Sequence, residues 1–270
     1  MSSWGWRLPF LVAAPLGLVG VYLRSKLEDT PVFRDLERSG GTDESAFARF
    51  KDLVGRHWVP VLQLGGLVVA LNVVNYTLLS YMPTYLQRTI GLSSRQALIV
   101  PIIGMVSMMV FLPLSGSLSD RLGRKPMWWF SLGGLFLGAV PMFLLMATGT
   151  WGAVIGFAVL GLLYVPQLST ISATFPAMFP TQVRYAGFAI AYNLSTSLFG
   201  GTAPVVNDWL IGVTGDRLVP AYYMMVACII GALALIKVPE TARCPISGTE
   251  TPGTPAAPPQ LDYQHALVSP

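Results

Sequence analysis

Charge is what this chain has least of. Only 11% of its 270 residues are Asp, Glu, Lys or Arg, where an average soluble domain carries about 25%. So little charge cannot solvate an ordinary surface, which excludes a water-soluble enzyme, a nucleic-acid binder and a disordered chain. Cysteine and histidine are nearly missing, with two of each. Cys228 lies in an apolar run and Cys244 in a polar tail, so neither a disulfide nor a metal site is expected. No nucleophile–base set, phosphate loop or metal-ligand spacing occurs, and no enzyme chemistry or cofactor is implied.

Apolar residues make up 53% of the chain, and they come in long runs. These are Leu8–Leu23, Val59–Leu86, Ala97–Leu118, Met127–Ala147, a run from Trp151 that fades near Phe179, Ala186–Leu210, and Ala221–Val238. A span needs about 20 apolar residues. The runs are too long and too uniform for barrel strands, so an all-α integral membrane protein with about seven helices is predicted.

The basic residues fix an orientation. Thirteen of them fall in the 24–56 segment, the 119–125 loop, the 180–184 turn and the C-terminal part, against four elsewhere (Arg7, Arg88, Arg95 and Arg217). Positive charge stays inside, which predicts an outer N-terminus and a cytoplasmic C-terminus in a cell membrane. A leader carrying Arg7 has no preceding helix to help it across, so the chain reads as beginning partway through a larger protein. A signal peptide over Met1–Leu23 is the competing reading, and Pro15 just after Val12-Ala13-Ala14 weighs against it. Residues 24–57, with seven acids and seven bases up to Arg56, read as a cytoplasmic linker. Residues 58–241 read as a six-helix unit, and 242–270 as a disordered Pro/Thr-rich tail.

Between the third and fourth runs stands Gly116-Ser117-Leu118-Ser119-Asp120-Arg121-Leu122-Gly123-Arg124-Lys125-Pro126. Gly116 suits close helix contact, Gly123 a positive φ after a helix end, and Pro126 the first turn of the next helix. Asp120 can cap the turn or pair with Arg124.

This string resembles the loop that follows the second and eighth helices of the major facilitator superfamily. More narrowly the chain resembles the metabolite:proton symporter family and its proline/betaine transporters. Trp4-Gly5-Trp6-Arg7-Leu8-Pro9-Phe10, Tyr81-Met82-Pro83-Thr84-Tyr85-Leu86, Phe179-Pro180-Thr181-Gln182-Val183-Arg184 and Pro239-Glu240-Thr241 carry that likeness. It implies that the first run matches helix six of twelve and the other six match the C-terminal half. It also implies solute:proton symport of a small polar metabolite or compatible solute, with no cofactor. The loop from Asp120 to Lys125, together with Arg184, would close the inner side.

Polar residues within the runs are candidates for a solute path: Asn72, Asn75, Tyr76 and Ser80 on one face of the second, Tyr164 and Gln167 beside Pro166 in the fifth, and Tyr192, Asn193 and Thr196 in the sixth. Helix–helix hydrogen bonding is the competing reading, and Gly187, Ala191 and Ser195 form a small-residue stripe suited to packing. Amide and phenol groups suit a zwitterion's carboxylate, and aromatic faces suit a quaternary ammonium. No acid or histidine lies in the interior of a run; Asp208 comes nearest, at the outer end of the sixth. The expected partners are the bilayer, a small solute, and either a missing N-terminal half or another copy, with no nucleic acid. A non-transporting membrane piece that assembles with a separate half is the alternative. A seven-helix receptor shares the topology but not the hairpin.

Overall fold

The computed structural model describes residues 7–26, 55, 58–180 and 183–242. The linker from 27 onward and the tail from 243 fall almost wholly outside the described residues. Two compact units form, Met1–Asp43 and Glu44–Pro270. In the first, α1 spans Leu8–Lys26 and runs through Pro15.

In the second unit the helices are α2 (Trp58–Arg88), α3 (Ser94–Leu122), α4 (Arg124–Met146), α5 (Thr150–Thr174), α6 (Arg184–Ser195), α7 (Ala203–Thr214) and α8 (Val219–Ile236). No strand occurs among the described residues. Helices α2, α3, α4, α5 and α8 are each long and apolar enough to cross a membrane. The helical form suits the medium, because a helix satisfies every backbone amide within its own segment, as hydrocarbon requires.

Two runs depart from the plain helix expected of them. Helix α2 is π-helical over Tyr76–Tyr81. Pro83 follows within the next turn and has no N–H to return to Leu79, which favours a widened turn there. The sixth run is not one helix. It is α-helical to Ser195 and π-helical over Thr196–Gly200. It then turns at Gly201-Thr202 and restarts with Pro204 in the first turn of α7.

Helix α5 packs on both α3 and α4, while α8 packs on α2 and α4, and α6 lies on α2. Large buried side chains fill the joints, among them Trp128, Tyr85, Phe143 and Phe157. Small residues let α2 and α8 approach. A Cβ on Gly66 would sit 2.7 Å from the Ala234 methyl, and one on Gly231 would sit 2.6 Å from that of Ala70. The Gly187, Ala191 and Ser195 stripe of α6 is buried, as packing requires. Outward faces are apolar, with Leu98, Ile102, Leu137 and Leu233 exposed, the inverse of a water-soluble surface.

Candidate functional site

Midway along the helices, α2, α5 and the α6 end meet through polar side chains. The Asn72 amide donates to Thr196 Oγ1 at 2.9 Å. The Asn75 amide donates to the Tyr164 hydroxyl at 3.0 Å, and that hydroxyl donates to the Leu71 carbonyl at 3.3 Å. Asn72 and Tyr164 are buried, Asn75 is half-buried. Tyr76 packs over Gly200, where an added Cβ would lie 2.8 Å from its ring. Four expected path residues, Asn72, Asn75, Tyr164 and Thr196, therefore converge, with Tyr76 beside them.

The other four go elsewhere. Ser80 lies inside the π segment and is exposed, because the widened turn rotates it off the face it would share in a regular helix. Gln167 is fully buried and donates to Ser131 Oγ at 2.9 Å, facing α4. Asn193 is exposed and donates to the Ala189 carbonyl of its own helix at 2.8 Å. Tyr192 stacks on Phe188 with centroids 5.3 Å apart, in a row that continues to Phe175 and Trp128.

Thr77 and Asn207 were not singled out from sequence. The Asn207 amide donates to the Ala203 carbonyl at 2.9 Å and to Thr77 Oγ1 at 3.4 Å, tying α7 to the π segment. Nearer the Arg88 end of α2, Asp208 accepts from the Tyr81 hydroxyl at 3.4 Å and pairs with Arg88 at 3.7 Å across an exposed surface. Among the described residues no three His, Cys, Asp or Glu side chains converge as a metal site would need.

The second site is the hairpin between α3 and α4. Gly123 has φ +100, and Pro126 lies in the first turn of α4. The acid at this helix start is Glu240, from the far end of the unit, where local reading offered Asp120. Its carboxylate accepts from the Arg124 and Lys125 amides, each at 3.0 Å, and from the Ala242 amide at 2.8 Å. A Cβ on Gly123 would stand 2.7 Å from Glu240 Oε2. The Arg124 guanidinium donates to the Ala173 and Thr241 carbonyls at 3.0 and 3.1 Å. The Lys125 ammonium donates to the Ile236 carbonyl at 2.9 Å. At the next turn Arg184 Nε donates to the Phe179 carbonyl at 3.2 Å.

Partial burial pushes the Glu240 pKa up, but its backbone hydrogen bonds outweigh that and hold it below the usual carboxylate range. Asp120 and Arg121 are exposed beside this knot. Gly116 does not make the close helix contact expected of it, since a Cβ there would meet nothing within 4 Å.

A profile of the Major Facilitator Superfamily matches residues 1–204. The chain belongs to the major facilitator superfamily. Among curated relatives, the proline/betaine transporter of Salmonella typhimurium is 38% identical over 94% of this chain and 51% of its own length. The glycine betaine/proline/ectoine/pipecolic acid transporter of Dickeya dadantii is 39% identical over the same shares. The proline/betaine transporter of Escherichia coli is 36% identical over 98% of this chain and 54% of its own length. The chain thus spans about half the length of the curated relatives it matches. Several apolar helices in a major facilitator chain make this a multi-pass membrane protein.

Proposed function

We propose that helices α2 to α8 supply one wall and part of the inner gate of a secondary active solute carrier. Its solute would be a small zwitterion of the proline or betaine kind, which relatives of this chain are named for carrying. The observation that carries this reading is the Asn72–Thr196 and Asn75–Tyr164 cluster, which puts amides and hydroxyls where three helices meet. Such groups can hold a carboxylate without placing a full charge in the membrane. In a rocker-switch carrier the opposing wall comes from a second six-helix half. The interiors of the five long apolar helices hold no acid or histidine, and in this reading the opposing half would supply the proton-coupling group. The knot of Glu240 with Arg124 and Lys125, together with Arg184, would brace the cytoplasmic side when it closes.

A second reading has the chain serving as an assembly partner that does not transport alone. The half-length match to its relatives favours this. Uptake of labelled betaine and proline in cells lacking their own carriers tests both. One set of cells expresses this chain alone, and the other adds the first five helices of a close relative. Uptake in the second set only is the expected result. Proton-dependent uptake by the chain alone would refute the assembly reading, and no specific uptake in either set would count against the carrier reading.

A further inference from the structure

Helices α3 and α4 both pack on α5 but touch each other only sparsely, although a single residue, Gly123, joins them. Between them lies a slot of about 740 Å³ with α5 as its floor. Phe111, Leu114, Leu118 and Leu122 of α3, Phe130 of α4 and Leu163 of α5 line it. The Ser115 hydroxyl in its wall is already engaged with Ser169 at 3.0 Å, so nothing polar in the slot calls for a polar ligand.

Length and lining select the occupant. From Phe111 to Leu122 the slot follows α3 for about 16 Å at 1.5 Å per residue, close to the roughly 15 Å of one leaflet's hydrocarbon. A slot lined by apolar side chains and as long as one leaflet is deep suits a flexible hydrocarbon chain.

Charge marks the mouth. Arg121 follows Leu114 and Leu118 at seven and three residues, which puts it beside them on one helix face. It is exposed. The neighbouring cations are occupied: Arg124 with the Ala173 and Thr241 carbonyls, and Lys125 with the Ile236 carbonyl.

We propose that the slot between α3 and α4 is a phospholipid site. One acyl chain from the leaflet on the hairpin's side fills it, and the lipid phosphate meets the Arg121 guanidinium. Anionic headgroups are favoured, because their charge is not offset by a choline.

The test uses the full chain in phosphatidylcholine vesicles holding a trace of phosphatidylglycerol with a photoactivatable diazirine on one acyl chain. After illumination, adducts should concentrate on the peptides bearing Phe111–Leu122 and Met127–Phe130. Leu118→Trp, which fills the slot, should remove them, whereas Ile102→Trp on the outer face of α3 should not. Arg121→Gln, a surface change that leaves the core alone, should lower slot labelling about fivefold. A matched phosphatidylcholine probe should label the slot more weakly. Adducts spread evenly over Ile102, Leu233 and the slot would overturn the proposal. So would slot labelling indifferent to Arg121→Gln, or crosslinks from the slot to a second polypeptide. If Leu118→Trp fails to fold, Arg121→Gln decides.

Discussion

At Gly200 and Glu240 single residues carry contacts between distant parts of the chain. A Cβ at Gly200 would strike the Tyr76 ring at 2.8 Å, and overpacking of this kind costs about 1–3 kcal/mol. Gly200→Ala should therefore lower the thermal unfolding midpoint, and an unchanged midpoint would mean the ring yields freely. Glu240 caps α4 through backbone amides, worth about 1 kcal/mol for an ordinary N-cap. Its pKa is depressed, so its stabilisation is complete above the ordinary carboxylate range and is lost as pH falls through the lower folded value. Parent and Glu240→Gln should differ in melting temperature at neutral pH and converge on acidification; a gap that persists in acid would contradict the charge argument. Local reading could not find this cap. It pairs residues 116 apart, while Asp120 stood nearer in sequence.

Helices were legible because hydropathy sets them directly: six of the seven apolar runs became single helices or nearly so, with ends shifted by a few residues. Departures from regular helix were not legible, since a π turn and an α turn share the same apolar composition. A regular helical period therefore puts Ser80 on the face of Asn72 and Asn75 and gives Thr77 no place beside them. Gln167 lies only about 60° round the helix from Tyr164, yet its amide reaches Ser131 of α4, because spacing within one helix does not say which neighbour a buried side chain meets. If the π segment of α2 is a working hinge, Pro83→Ala restores an N–H that can close the turn on Leu79 and pull Thr77 away from Asn207. In a complemented carrier the maximal uptake rate should then fall while the half-saturating concentration stays near the parent's. Unchanged uptake would show that the widened turn has no part in transport.

Across the whole molecule, a working carrier needs a membrane orientation and an opposing wall. The bias of basic residues predicts that the 24–57 segment lies inside and the loop between Arg88 and Arg95 outside. A cysteine at Ser39 should resist impermeant maleimide in intact cells, and one at Ser93 should react; the reverse pattern would invert the topology. In the proposed carrier Asn75 and its neighbours border the solute path. The most direct test of this is solute protection of a cysteine placed there. The background is Cys228→Ser with Cys244→Ser, co-expressed with the complementary helices of a relative. Betaine or proline should slow maleimide labelling of Asn75→Cys and leave Leu233→Cys, on the outer face of α8, unaffected. Equal labelling of Asn75→Cys with and without solute, in cells shown to take that solute up, would contradict the account.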